Sequence, residues 1–151
     1  MSSSILIWLI LVPFIGGYLC WQGERFSRTL PRWIALISMG GVLVVSLWLW
    51  SSGQFALTPP AGAPQFALEY KARWVDSFGI SFHLGMDGLA LLLVVLTNLL
   101  GLMAVACSWR EIDRYVGFFY LNLLWNLGGV VGVFLALDLF LFFFLWEMML
   151  V

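Results

Sequence analysis

The chain has 151 residues, 63% hydrophobic and 10% charged, with a formal net charge of −1. An ordinary soluble domain carries roughly 25% charged residues, so this balance excludes a water-soluble enzyme and a basic surface for nucleic acid. Two cysteines, Cys20 and Cys107, and one histidine, His83, leave no CxxC, no iron–sulfur spacing and no pair of axial haem histidines, and no glycine-rich phosphate loop is present.

The first apolar segment runs from about Ile5 to Trp21. It lacks the positive start and the A-x-A site of a cleaved signal peptide, so it reads as a retained helix. Pro13, near its middle, leaves a backbone carbonyl one turn earlier without a partner. The second segment, about Trp33–Trp50, follows Pro31, a residue tolerated in a first helical turn. A long polar stretch, about Ser51–Gly85, then contains Pro59, Pro60 and Pro64. The alternation Phe78-Gly79-Ile80-Ser81-Phe82-His83-Leu84 predicts a short strand or hairpin at the membrane surface. His83 is expected to be a loop or interface residue and not a metal ligand.

The third segment is about Leu89–Trp109, with Asp87 placed to cap its start, and the fourth is about Val116–Leu137. Gly128-Gly129-Val130-Val131-Gly132 carries a GxxxG spacing that predicts close helix packing. The fifth begins near Leu139 behind Asp138, a second capping acid or a proton entry point. It reads as a helix cut in mid-membrane, because about 13 residues rise only ~20 Å against a core of ~30 Å. Trp21, Trp33, Trp50 and Trp109 stand at segment ends, as an interfacial aromatic belt requires. The fold class expected is an all-α polytopic membrane protein of about five helices, with a hairpin-like element in the long loop.

Arg25, Arg28 and Arg32 lie in the first connection, and Arg110 and Arg114 in the third. The longer second connection holds only Lys71 and Arg73, and the fourth holds no cation. The positive-inside rule therefore places the first and third connections in the cytoplasm and the N-terminus and long loop outside. Cys20 and Cys107 fall near the cytoplasmic side, where no disulfide is expected.

Glu147 is the only charge in the run Leu139–Val151. Acids at such depth are costly and functional by default. It lies nine residues past Asp138, about 13–14 Å deeper and on the opposite helix face, so the two do not pair. Phe143, Phe144, Leu150 and Val151 are its neighbours one turn away, and all are apolar. In hydrocarbon the neutral acid is favoured, so ionisation needs a cation or water from another element. The alternative role is a permanently protonated Glu bonded to a backbone carbonyl. Thr97, Asn98, Asn122 and Asn126 fall at similar depth and could form a polar pathway with it, or simply bond helix to helix.

The run Val133–Leu150, VFLALDLFLFFFLWEMML, resembles the fifth helix of the antiporter-like subunits of proton-pumping NADH:quinone oxidoreductase, respiratory complex I. Met86-Asp87-Gly88-Leu89-Ala90-Leu91-Leu92 resembles the start of that family's third helix. Leu11-Val12-Pro13-Phe14-Ile15-Gly16-Gly17 and Pro31-Arg32-Trp33-Ile34-Ala35-Leu36 resemble its M-type members. The resemblance implies about fourteen helices around two inverted five-helix repeats. Residues 1–110 would then hold helices one to three with the outer loop 51–85. Residues 111–151 would begin the proton-conducting domain.

The resemblance also implies that Glu147 is a proton carrier paired with a lysine outside this sequence. NADH, FMN, iron–sulfur clusters and quinone would reside in partner subunits, and this chain itself would bind neither cofactor nor metal. The implied setting is a bacterial inner membrane, beside other antiporter-like subunits. The competing expectations are a related cation/proton antiporter or membrane-bound hydrogenase subunit, and a small structural scaffold.

Overall fold

The computed structural model describes residues 4–53, 55, 66–75 and 80–150. Helices α1 (Ser4–Gly23), α2 (Leu30–Ser51), α3 (Gly88–Glu111), α4 (Val116–Leu135) and α5 (Leu139–Leu150) are joined, between α2 and α3, by a hairpin of β1 (Leu68–Val75) and β2 (Ile80–Met86). The first four helices are each long and apolar enough to cross a membrane, and α5 is a shorter apolar helix. The chain is a polytopic all-α membrane protein. Large apolar side chains such as Trp8, Ile37, Val44, Leu100 and Met103 are exposed along the helices, where lipid is their solvent.

α4 is central. It packs on α1, α2 and α3, and α5 lies against its outer side. Its glycines make this possible, but not as a single stripe. A Cβ on Gly128 would meet Phe14 and Pro13 of α1, whereas one on Gly132 would lie 2.8 Å from a Leu145 methyl of α5. The expected close packing is present and is divided between two neighbouring helices. α1 runs unbroken through Pro13, which is buried against α4.

β1 and β2 pair antiparallel, from Leu68 opposite Met86 to Val75 opposite Ile80. The alternating run therefore forms one arm of the hairpin; its Phe78 and Gly79 lie outside the described residues, as do Pro59, Pro60, Pro64 and Val151. The sequence pattern did not single out the other arm, Leu68–Val75. His83 sits on β2 with its imidazole 2.5 Å from a Glu69 carboxylate oxygen on β1. Cys20 and Cys107 are both free thiols, the first buried and the second exposed.

The opposite end of the bundle holds Arg25, Arg28, Arg32, Arg110 and Arg114. Arg32 donates to the Ile112 carbonyl at 2.9 Å and to Asp113 at 3.3 Å, tying the start of α2 to the α3–α4 turn. Tyr115 enters α4 with a left-handed backbone, φ 52°. It offers no side-chain cap, and Glu24 from the α1–α2 connection supplies one, accepting from the Gly117 N–H at 3.1 Å. Trp33 and Trp109 meet edge to face with centroids 5.3 Å apart, and Arg25 lies over Trp21 at 5.9 Å. This end therefore carries an aromatic and basic belt of interfacial type.

Candidate functional site

The two capping acids precede α3 and α5, two of the helices that begin at the hairpin end. Asp87 accepts from the Ala90 N–H at 2.7 Å and closes the first turn of α3. Asp138 does more. Its Oδ1 accepts from Phe140 N–H at 2.8 Å and Leu141 N–H at 3.4 Å, and its Oδ2 from the Ser81 N–H and hydroxyl, both at 3.4 Å. Leu137 N–H donates to the His83 carbonyl at 2.9 Å, and Leu84 bridges to Ala136. The hairpin is thus clasped to the turn from which α5 starts.

Desolvation works against the Asp138 charge, but the donors from Phe140, Ser81 and Leu141 outweigh it and hold the carboxyl below the usual carboxylate range. Such a group stabilises the fold at pH above its unfolded value, and that contribution is lost as pH falls through the lower folded value. Asp138→Asn keeps a cap acceptor but cannot accept on two oxygens. The expected cost is within about 0.5–2 kcal/mol. The stability gap between the two proteins should close at acid pH. A gap that persisted unchanged at acid pH would mean that the ionised carboxylate is not what the cap depends on.

On α5 the buried positions are Leu141 and Leu145, and Leu145 packs on Gly132 of α4. Glu147 lies about 200° round the helix from Leu145 and is exposed, with the exposed Phe140, Phe143 and Phe144 on the same outer side. Among the described residues it makes no hydrogen bond or ion pair, so the carbonyl-bonded alternative has no partner there. Its turn is nonetheless held. The Trp125 indole N–H of α4 donates to the Met148 carbonyl at 2.9 Å, and the Asn126 amide reaches the Met149 carbonyl at 3.5 Å. Asn122, one turn away on α4, is exposed and bonds its own helix at the Phe118 carbonyl.

Thr97 and Asn98 are placed differently. The Thr97 hydroxyl donates to Leu93 of its own helix. Asn98 is fully buried between α3 and α2, donating to Ser46 Oγ at 3.3 Å, while the Ser46 hydroxyl itself bonds the Val42 and Leu43 carbonyls. Asn98 Oδ1 is buried and unbonded among the described residues. The five polar residues of similar depth therefore lie on different faces, and no hydrogen bond among the described residues joins them. Asn126 is brought to the Glu147 turn; Asn98 is brought to Ser46. Ser46 and Glu24 were not singled out from sequence, because each is recognisable only once its distant partner is known. Among the described residues no cluster of His, Cys, Asp and Glu is suited to a metal ion.

No family model matches the chain. It is 65% identical over 148 residues to NADH-quinone oxidoreductase subunit M of Pseudomonas aeruginosa, and 64% identical over 147 residues to the subunit of that name from Escherichia coli K12, each match covering 97% of this chain. The chain spans 29% of the length of these relatives, and the match is to their N-terminal part. It is 32% identical over 145 residues to NAD(P)H-quinone oxidoreductase chain 4 1 of Synechococcus sp.. Among solved structures, a chain of the membrane-bound sulfane sulfur reductase, an archaeal respiratory membrane complex, superposes with a TM-score of 0.74 and 26% identity, covering 93% of this chain and 21% of that one.

Proposed function

From a chain that corresponds in sequence to the N-terminal part of NADH-quinone oxidoreductase subunit M, we propose a role in a proton-translocating, membrane-embedded NADH:quinone oxidoreductase, with Glu147 as a proton-carrying acid. The observation that carries this reading is the placement of Glu147. A lone carboxyl stands on the outward face of an otherwise apolar helix, without a partner among the described residues, while the far side of that helix is fastened to α4. Such a carboxyl answers to whatever cation or water is brought to its exposed face, which is the requirement for a group that gains and loses a proton. Electron transfer belongs to partner subunits, because this sequence carries no redox-centre motif.

The archaeal sulfane sulfur reductase chain favours a second reading, a proton- or ion-translocating subunit of a related complex with another electron acceptor. Identity of 65% to subunit M against 26% to that chain ranks the quinone reductase first.

The test is a chimera in which these 151 residues replace the matching part of Escherichia coli subunit M. Near-native NADH-driven proton uptake by inverted vesicles is the expected result. A chimera that assembles and transfers electrons to quinone without moving protons would contradict the proposal.

The proposed setting is a bacterial inner membrane with the N-terminus outside and the belt of Arg25, Arg28, Arg32, Arg110 and Arg114 on the cytoplasmic face. Reporter fusions should be active in the cytoplasm at the α1–α2 and α3–α4 connections and silent there within Ser51–Gly85. The reverse pattern would invert the topology.

A further inference from the structure

At the arginine-bearing end, Glu24, Arg28, Asp113, Arg114 and Tyr115 line a cavity of about 340 Å³. We propose that it holds the headgroup of a phosphatidylethanolamine, with the phosphate on the two arginines and the ammonium on the two carboxylates.

The level in the membrane is right. The cavity lies where α1 ends and α4 begins, at the end of the bundle that carries Trp21, Trp33 and Trp109, residues that mark the headgroup region. Tyr115, 78% exposed, lines it and offers apolar surface, and Phe26, in the α1–α2 connection that carries Arg28, is 85% exposed.

The charges fit one class of lipid. Arg28 and Arg114 have no hydrogen bond or ion pair among the described residues, unlike Arg32, which is engaged by Asp113 and the Ile112 carbonyl. Two free guanidinium forks match a phosphate. Each lining carboxylate has committed one oxygen, Glu24 Oε2 to the Gly117 N–H and Asp113 Oδ1 to Arg32, and keeps the other without a bond among the described residues. The lining is therefore two positive and two negative charges. A purely anionic headgroup such as phosphatidylglycerol could offer the two carboxylates only neutral hydroxyls, with no positive charge to balance them. A choline headgroup has no N–H to donate. An ethanolamine headgroup carries both the phosphate and a primary ammonium with three donors. The inference is independent of the proton-carrying role of Glu147 and uses the proposed complex only as the preparation.

The complex containing the full-length subunit is purified in mild detergent, and its retained phospholipids are counted by mass spectrometry. The double variant Arg28→Gln/Arg114→Gln should lose about one phosphatidylethanolamine per complex, with phosphatidylglycerol unchanged and NADH:quinone turnover showing that the complex is intact. Arg28→Lys/Arg114→Lys, which keeps the charge without the forks, should lose only part of that lipid even if the glutamine pair fails to assemble. An unchanged phosphatidylethanolamine count in either assembled variant, or loss of phosphatidylglycerol in its place, would overturn the proposal.

Discussion

Replacing Gly117 by alanine is expected to destroy assembly of the full-length subunit. A Cβ at this position would lie 2.6 Å from the Cys20 carbonyl oxygen and 2.8 Å from Glu24 Cβ. The carbonyl cannot move aside, because it accepts the Glu24 N–H at 3.2 Å in the last turn of α1. α1 and α4 would have to part at their closest approach, and the bond by which Glu24 caps α4 would break with them. Overpacking costs about 1–3 kcal/mol, sometimes more, and loss of a cap about 0.5–2 kcal/mol. The sum is a large share of a stability of about 5–15 kcal/mol. Gly40→Ala and Gly41→Ala are the controls, since no atom lies within 4 Å of a Cβ at either site. Subunit abundance in membranes should collapse for Gly117→Ala and stay near native for the controls. Normal abundance of Gly117→Ala would mean that the α1–α4 contact is looser than described.

The contrast between Gly117 and the caps shows what this sequence makes legible. Asp87 and Asp138 announce themselves because each acid directly precedes an apolar run, so donor and acceptor are three residues apart or fewer. The Glu24 cap joins residues 93 apart, and the Asn98–Ser46 bond joins residues 52 apart. Nothing local encodes either. Helix positions are legible for a similar reason: lipid demands long apolar runs, and tryptophans and arginines mark where they stop.

Depth along a helix follows from counting at a fixed rise, which is why Glu147, Asn126 and Asn98 could be placed at similar levels. Rotation about the helix axis does not follow. These helices are apolar on every side, so the sequence offers no polar face to show which way a residue looks. Asn98 turned inward to Ser46 while Asn122 and Asn126 faced outward beside α5. The GxxxG run likewise predicted close approach and could not name the partners, α1 for Gly128 and α5 for Gly132. β1 was hidden because the residues joining it to the alternating arm carry no turn signal as plain as Asn-Gly.

The central claim concerns the carboxyl of Glu147, and its two conservative substitutions separate chemistry from structure. Glu147→Gln keeps the shape and hydrogen-bonding capacity and removes titration. Glu147→Asp keeps the acid and shortens its reach. On the proposed role, the glutamine variant assembles but loses proton translocation by about tenfold or more, with turnover coupled to it, and the aspartate variant retains part of both. A Glu whose only task was to bond a neighbour would tolerate Gln at least as well as Asp. The deciding measurement is NADH-driven proton uptake by vesicles containing the full-length subunit, normalised to assembled complex. The account predicts wild type above Asp and Asp well above Gln; near-normal uptake in Glu147→Gln would contradict it.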